Sequence, residues 1–145
     1  MGERTSLALA LLLAIVATVA HADPCKAIPD RGPMPAYLRP GATFAGPVAY
    51  IIDGDGLCVA TGSGAWVEVR LADFYAPELA EAGGREAKAT LAKITQGRRV
   101  ECGAQHRSYD RVVAVCTLQG VSLGDKMRAA GIAPGGRGLT SPATR

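Results

Sequence analysis

The chain has 145 residues, of which 48% are hydrophobic, 20% are charged and 5% are aromatic. At roughly 100–200 residues per domain this length allows one domain, and the composition excludes a fully disordered chain. The formal net charge of +3 is small, so non-specific attraction to a polyanion should be modest. No repeat of 20–50 residues and no second long hydrophobic run occurs, which excludes a solenoid and a multi-span membrane protein.

The first 22 residues have the pattern of a secretory signal. Arg4 supplies the positive start, an apolar stretch runs from Leu7 to Ala20, and Ala20-His21-Ala22 fits the A-x-A cleavage pattern. The stretch is short for a membrane-spanning helix, which needs about 20 residues; an uncleaved anchor is the alternative. We therefore expect cleavage after Ala22, a mature form without a membrane segment, and a secreted or periplasmic location.

Four cysteines lie beyond the cleavage site, at Cys25, Cys58, Cys102 and Cys116. An even count in an exported chain favours disulfides, and the absence of a C-x-x-C pair argues against a zinc ribbon or a redox motif. Four cysteines allow three connectivities. Cys102 and Cys116 lie in two neighbouring β-rich runs, which makes them the expected cross-strand pair and leaves Cys25 to Cys58. Four free thiols are the alternative for a chain that stays in a reducing compartment.

Residues 23–47 contain six prolines, which fix the backbone and withhold a hydrogen-bond donor. We therefore expect an extended N-terminal arm here, with neither helix nor central strand. Residues 134–145 are rich in Gly, Pro and Ser, which is typical of a flexible tail. The folded domain would then span residues 48–133.

Within that domain the apolar patterns predict five strands and two helices. They are strands at 48–52, 57–60 and 66–71, a helix at 84–96, strands at 99–103 and 111–118, and a helix at 122–130. Five short strands interrupted by a helix after the third fit the OB-fold, a partly open barrel that binds oligonucleotides or oligosaccharides. The expected fold class is therefore mainly β with two helices, a five-stranded OB-fold barrel.

Alternation along the strand at 66–71 puts Trp66, Glu68 and Arg70 on one face and three apolar residues on the other. A charged pair beside a tryptophan indicates the wall of a groove. Arg107 and Arg111 belong to a basic cluster at 98–111, and arginine suits bidentate phosphate contacts; a solvated basic face is the alternative.

Three stretches carry residues suited to phosphodiester cleavage: IDGDG at 52–56, VRLADFYAPEL at 69–79 and RSYDRVVAVC at 107–116. Such cleavage needs the charge on the phosphoryl oxygens to be neutralised and an attacking water to be held and deprotonated.

These stretches offer Asp55 for a metal, Glu78 for the water, and Arg70 and Arg111 for the phosphate. Taken singly, each has an ordinary structural explanation: a hairpin turn, a loop entry or an ion-pairing arginine.

Taken together and in this order, the stretches resemble a staphylococcal-nuclease-like (thermonuclease) domain, a calcium-dependent nuclease on an OB-fold. The resemblance covers residues 48–132. I-D-G-D at 52–55, R-L-x-x-x-x-x-P-E at 70–78 and Y-x-R at 109–111 match its three motifs.

By this resemblance Asp55 would be a Ca²⁺ ligand and Glu78 the general base or water-orienting carboxylate. Arg70 and Arg111 would bind the phosphate, and Tyr109 would line the nucleotide pocket.

The chain departs from the family at three positions. An Asp three residues before the Glu, a Thr after the metal Asp and an acid four residues before the last Arg are replaced by Tyr75, Gly56 and Arg107. A phenol is a poor ligand for Ca²⁺, so the calcium site should be weakened. Asp73 points the same way as Tyr75 in an extended segment and would be the substitute ligand.

We therefore expect an exported, monomeric phosphodiesterase that hydrolyses DNA or RNA, with single strands favoured. Tyr75, Tyr109 and Arg107 would bind substrate. The first alternative is a catalytically inactive module on which Tyr75 stacks a base of single-stranded nucleic acid. The second is a binder of protein or glycan in the cell envelope.

Overall fold

The computed structural model describes residues 25–135. The signal segment and cleavage site expected at 1–22, and the tail expected at 134–145 except for its first two residues, lie outside this range. In chain order the described elements are a short 3-10 helix at Ala36–Leu38, β1 (Thr43–Ile51), β2 (Gly56–Val59), β3 (Val67–Leu71), α1 (Gly84–Thr95), β4 (Arg99–Ser108), β5 (Arg111–Leu118), β6 (Val121–Ser122) and α2 (Leu123–Ala129). No helix within 25–135 is long and apolar enough to span a membrane.

The strands form one mainly antiparallel sheet in the order β3-β2-β1-β4-β5-β6. A further parallel pairing of β3 with β5 joins the two ends of the first five strands. β1, β2, β3, β5 and β4 therefore make a closed ring. The predicted class, mainly β with two helices, is confirmed.

The core lies inside this ring and under the two helices. On β3, Val67, Val69 and Leu71 are fully buried while Glu68 and Arg70 between them are half-buried, which confirms the predicted division into two faces. The helices close the core with one stripe each, Ala87 and Leu91 on α1 and Leu123 and Met127 on α2. Removing these apolar side chains from water is what fixes the helices against the ring.

Both predicted disulfides are present, Cys25–Cys58 and Cys102–Cys116. Cys102 lies directly opposite Cys116 in the β4–β5 ladder. Cys25 joins the segment that precedes the sheet to the middle of β2.

The prediction of an arm without regular structure at 23–47 is wrong in two places. A 3-10 helix forms at Ala36–Leu38, and β1 begins at Thr43 and pairs with β4 through Pro47. The Pro47 carbonyl accepts from the amide of Ala60, the residue after β2, at 2.9 Å. The N–H and the carbonyl of one strand residue point to the same side, so the N–H that Pro47 lacks would also face Ala60. Because β2 has ended there, no ladder hydrogen bond is lost, and the proline is tolerated.

The predicted strand at 99–103 is too short, since β4 continues to Ser108. The polar residues after Gly103 still pair with β5, across a register shift between Ala104 and His106. A two-residue turn of Tyr109 and Asp110 replaces the longer polar connection, and β6 is an additional strand.

The helices agree with prediction to within one residue, and the Ser122 hydroxyl caps α2 by accepting from the Asp125 amide.

Candidate functional site

The acidic loop between β1 and β2 directs Asp55 inward. The Asp55 amide donates to Oδ1 of Asp53 at 3.1 Å, a side-chain contact that tightens the turn. Oδ2 of Asp55 accepts from the Ala76 amide at 2.9 Å, and the Asp55 carbonyl accepts from the Leu71 amide at 2.8 Å. These bonds hold the loop against the end of β3 and the segment that follows it.

Asp55 is 8% exposed, an unusual position for a carboxylate. Burial raises its pKa from the ordinary 3.8 to about 6, with a further increase from the negative charge of Asp53. The hydrogen bond from Ala76 and the positive charge of Arg70 act in the opposite direction. The loop therefore holds a like-charged pair beside a guanidinium, a place where added positive charge would be favourable.

Arg70 lies between Asp55 and Tyr75. It pairs with Gly56 across β2 and β3, which brings it next to the acidic loop. Its guanidinium carbon is 5.6 Å from the ring centroid of Tyr75, within cation–π range, and the tyrosine remains 37% exposed. Asp55, Arg70 and Tyr75 thus form one cluster.

Arg111 reaches the same face from the neighbouring strand. Arg70 pairs with Val113 in the parallel β3–β5 ladder, and Arg111 is two residues earlier on β5, so both arginines point outward. Two residues along a strand and one strand spacing correspond to about 7 Å and about 4.8 Å. The two arginines therefore lie on one sheet face with Cα atoms about 8–9 Å apart, while Nη2 of Arg111 donates to Ser108 Oγ at 3.5 Å; that both bind one phosphate stays a prediction.

Glu78 is exposed and follows Pro77 on the segment between β3 and α1. Its amide donates to the Glu81 carboxylate at 2.9 Å, which fixes the backbone ahead of α1. Ala76, whose amide binds Asp55, is two residues earlier, so the Glu78 Cα is at most about 7 Å from that of Ala76. The contacts seen for Glu78 are made by its backbone and run toward the start of α1, so its part in the cluster stays a prediction.

Asp73 makes its contacts with α2. Its carboxylate packs on the first turn of α2, where a Cβ added at Gly124 would stand 2.6 Å from its Cγ. Its Oδ1 is buried and has no hydrogen-bond partner among the described residues, while its carbonyl accepts from both Nη atoms of Arg128. The Asp73 carboxylate therefore faces α2 in this structure, and its role as a second calcium ligand stays a prediction.

Arg107 and Tyr109, which are predicted to bind substrate, lie at the end of β4 and in the β4–β5 turn; that role stays a prediction. The Arg107 guanidinium donates to the carbonyls of Tyr109, Gly32 and Pro29 at 2.5–2.7 Å, so it is engaged with backbone. Tyr109 is 84% exposed at the tip of the β4–β5 turn with φ of 58°.

Asp53 was missed as a site residue. Its signal was the D-G-D spacing itself, which places two carboxylates in one tight turn.

Among residues 25–135 no group of three or more Asp, Glu, His or Cys side chains is arranged to hold a metal ion.

Two clefts contain none of Asp55, Arg70, Tyr75 or Arg111. One of about 510 Å³ is lined by residues of β1, β4 and β5 around Cys102. Another of about 470 Å³ lies between the start of α1 and residues 131–135 and includes Pro77, next to Glu78. Arg70 and Arg111 instead lie on an open face of the sheet, which an extended polymer can approach.

No protein-family model matches the chain, and no curated protein matches it in sequence.

Proposed function

We propose that the protein is an exported nuclease-like hydrolase of the staphylococcal nuclease type that cleaves phosphodiester bonds of single-stranded DNA or RNA. The observation that carries the proposal is the meeting of buried Asp55 with Arg70, with Arg111 beside them on the same sheet face. The closed order β1-β2-β3-β5-β4 supports an OB-fold, whose strand face and loops bind oligonucleotides.

Arg70 and Arg111 bind the scissile phosphate in this proposal. Two guanidiniums offer forked donors to the non-bridging oxygens and neutralise the charge that develops there. The stacking of Arg70 on Tyr75 limits the freedom of the guanidinium before substrate arrives, which reduces the entropy lost on binding.

Glu78 acts as the general base. A water oxygen attacks phosphorus, its proton passes to the Glu78 carboxylate, and the bond from phosphorus to the sugar oxygen breaks while that oxygen takes a proton from solvent and leaves as the alcohol. Glu78 is exposed and two residues from Ala76, whose amide binds Asp55, which supports this role.

In this proposal the acidic loop binds Ca²⁺ weakly. Asp55 and Asp53 would hold it, because the close approach of two carboxylates and the burial of Asp55 both disfavour the doubly charged loop without a cation. Bound there, Ca²⁺ would supply charge neutralisation and orient water. Tyr75 contributes a ring where a further carboxylate would strengthen the site, so we expect affinity in the millimolar range or weaker.

Export is part of the proposal. Two disulfides are typical of proteins from an oxidising compartment, and the signal pattern at 1–22 is of the cleaved type. We propose a secreted or periplasmic monomer.

Hydrolysis of single-stranded DNA in excess calcium tests the proposal. We expect Glu78→Gln to lower kcat by at least about 100-fold, since it removes the base, and Arg111→Ala to lower kcat/KM by a similar factor. Arg39→Ala is the matched control, since it removes an exposed arginine after the 3-10 helix. Equal rates for all four proteins would overturn the assignment.

The exposed ring of Tyr75 over Arg70 favours one second candidate, a module that binds single strands without cleaving them. It predicts binding that calcium does not change, no turnover, and loss of affinity in Tyr75→Ala.

A further inference from the structure

Residues 25–32, here called the N-terminal strap, are fastened across the outer face of the sheet. At one end Cys25 is disulfide-bonded to Cys58 on β2. The Ala27 amide then donates to the Trp66 carbonyl just before β3 at 3.0 Å, and Ile28 is fully buried. The strap thus crosses from β2 to the edge of β3.

The strap is also tied to the β4–β5 turn. Lys26 Nζ lies 2.6 Å from Asp110 Oδ2 in the turn, and this contact raises the pKa of Lys26 and lowers that of Asp110. Arg107, at the end of β4, donates to the carbonyls of Gly32 and Pro29 in the strap while its Nε donates to the Tyr109 carbonyl in the turn.

These attachments lie next to the arginine pair. Cys58 pairs with Glu68 on β3, two residues before Arg70, so the disulfide is anchored two pairs along the ladder from the Gly56–Arg70 pair. At the other end, the turn that the strap holds leads directly into Arg111. The strap therefore spans from the strand beside the acidic loop to the residue before the second arginine.

We infer that the N-terminal strap is a positioning element of the site: Lys26 and Arg107 fix the β4–β5 turn so that Arg111 stays on the sheet face of Arg70, and the Cys25–Cys58 bond keeps the strap in place. The consequence for substrate rests on the proposed function; the positioning itself does not. Breaking the bond takes two electrons from a dithiol reductant and yields two thiols, so the site would be complete in an oxidising compartment and loosened in a reducing one.

Hydrogen exchange of the β4–β5 turn tests the positioning directly. We expect the backbone amide hydrogens of residues 105–112 to exchange about tenfold faster than in the wild type under native conditions. This should hold both for Cys25→Ser/Cys58→Ser and for Lys26→Met. Lys93→Met is the matched control for Lys26→Met, since it removes an exposed lysine from the last turn of α1 and leaves the strap unchanged. Lys26→Met keeps both disulfides, so it tests the inference even if the cysteine variant fails to fold. Unchanged exchange in Lys26→Met would overturn the inference.

Affinity for a labelled single-stranded oligonucleotide tests the consequence. We expect Kd, or KM in the hydrolysis assay, to rise about fivefold to tenfold in Lys26→Met, with recovery in Lys26→Arg, which restores a cation facing Asp110. The Lys93→Met control should stay at the wild-type value. Faster exchange with unchanged affinity would overturn the link to Arg111. A wild type that neither binds nor cleaves would overturn the proposed function, while the exchange result would still decide the positioning.

Discussion

The guanidinium of Arg70 lies 5.6 Å from the ring centroid of Tyr75, on the face that Asp55 borders. Tyr75 occupies the position at which the resembling family has an acid. The ring orients the arginine but contributes no charge to the acidic loop. Under the proposed function, the chain would therefore keep its phosphate-binding arginines and bind calcium more weakly.

Tyr75→Asp should strengthen calcium binding. A third carboxylate beside Asp53 and Asp55 adds a charged oxygen ligand, so calcium affinity at pH 7 should rise at least about tenfold. Titration calorimetry measures this, with Tyr75→Phe as the control that keeps the ring without adding charge. Equal affinities in Tyr75→Asp and the wild type would show that this position does not face the acidic loop.

Asp55→Asn should change how stability depends on pH. Because the pKa of Asp55 is higher in the folded chain than its ordinary 3.8, the folded state binds the extra proton between about pH 4 and 6. The Asp55 contribution to the free energy of unfolding is therefore most favourable below pH 4 and is lost as pH rises through about 6.

Denaturant unfolding in a chelator, from pH 4 to 7, measures this dependence. Asn keeps an oxygen for the Ala76 amide, so the variant should lose this slope and be more stable than the wild type at pH 7 by roughly 2 kcal/mol. Parallel curves for the two proteins would contradict the raised pKa.

Gly54→Ala should destabilise the acidic loop. A Cβ at Gly54 would stand 2.5 Å from the Ala76 Cβ and 2.6 Å from the Ala87 Cβ on α1, so the loop must move away from both. Such overpacking typically costs 1–3 kcal/mol, so we expect a loss of about 2 kcal/mol. Gly103→Ala is the control, because a Cβ there meets nothing within 4 Å. Equal melting temperatures for the two variants would contradict this packing.

Much of the fold could be predicted because local pattern and burial agree. Period-two alternation on β3 and the Ser122 cap of α2 depend on neighbours in sequence, and both are as expected. Pro47 shows where such reasoning stops, since its place in a strand depends on where a different strand ends. No local pattern contains that information.

The site shows the same limit. The order of the motifs pointed to Asp55, Arg70 and Arg111, which the topology brings to one face. Asp73 and Tyr75 alternate in sequence and should point the same way in a regular strand, yet the segment leaves β3 after Leu71. Without a partner strand to hold the alternation, Asp73 packs on α2 instead.

A double-mutant cycle on Arg70→Lys and Arg111→Lys tests the central claim that both guanidiniums bind one phosphate. The measurement is Kd for a single-stranded oligonucleotide in chelator, where hydrolysis does not interfere. We predict that the double variant loses less affinity than the two single losses added together, with a coupling on the order of 1 kcal/mol. Losses that add to within about 0.5 kcal/mol would mean that the two arginines act at separate places, and would contradict the account.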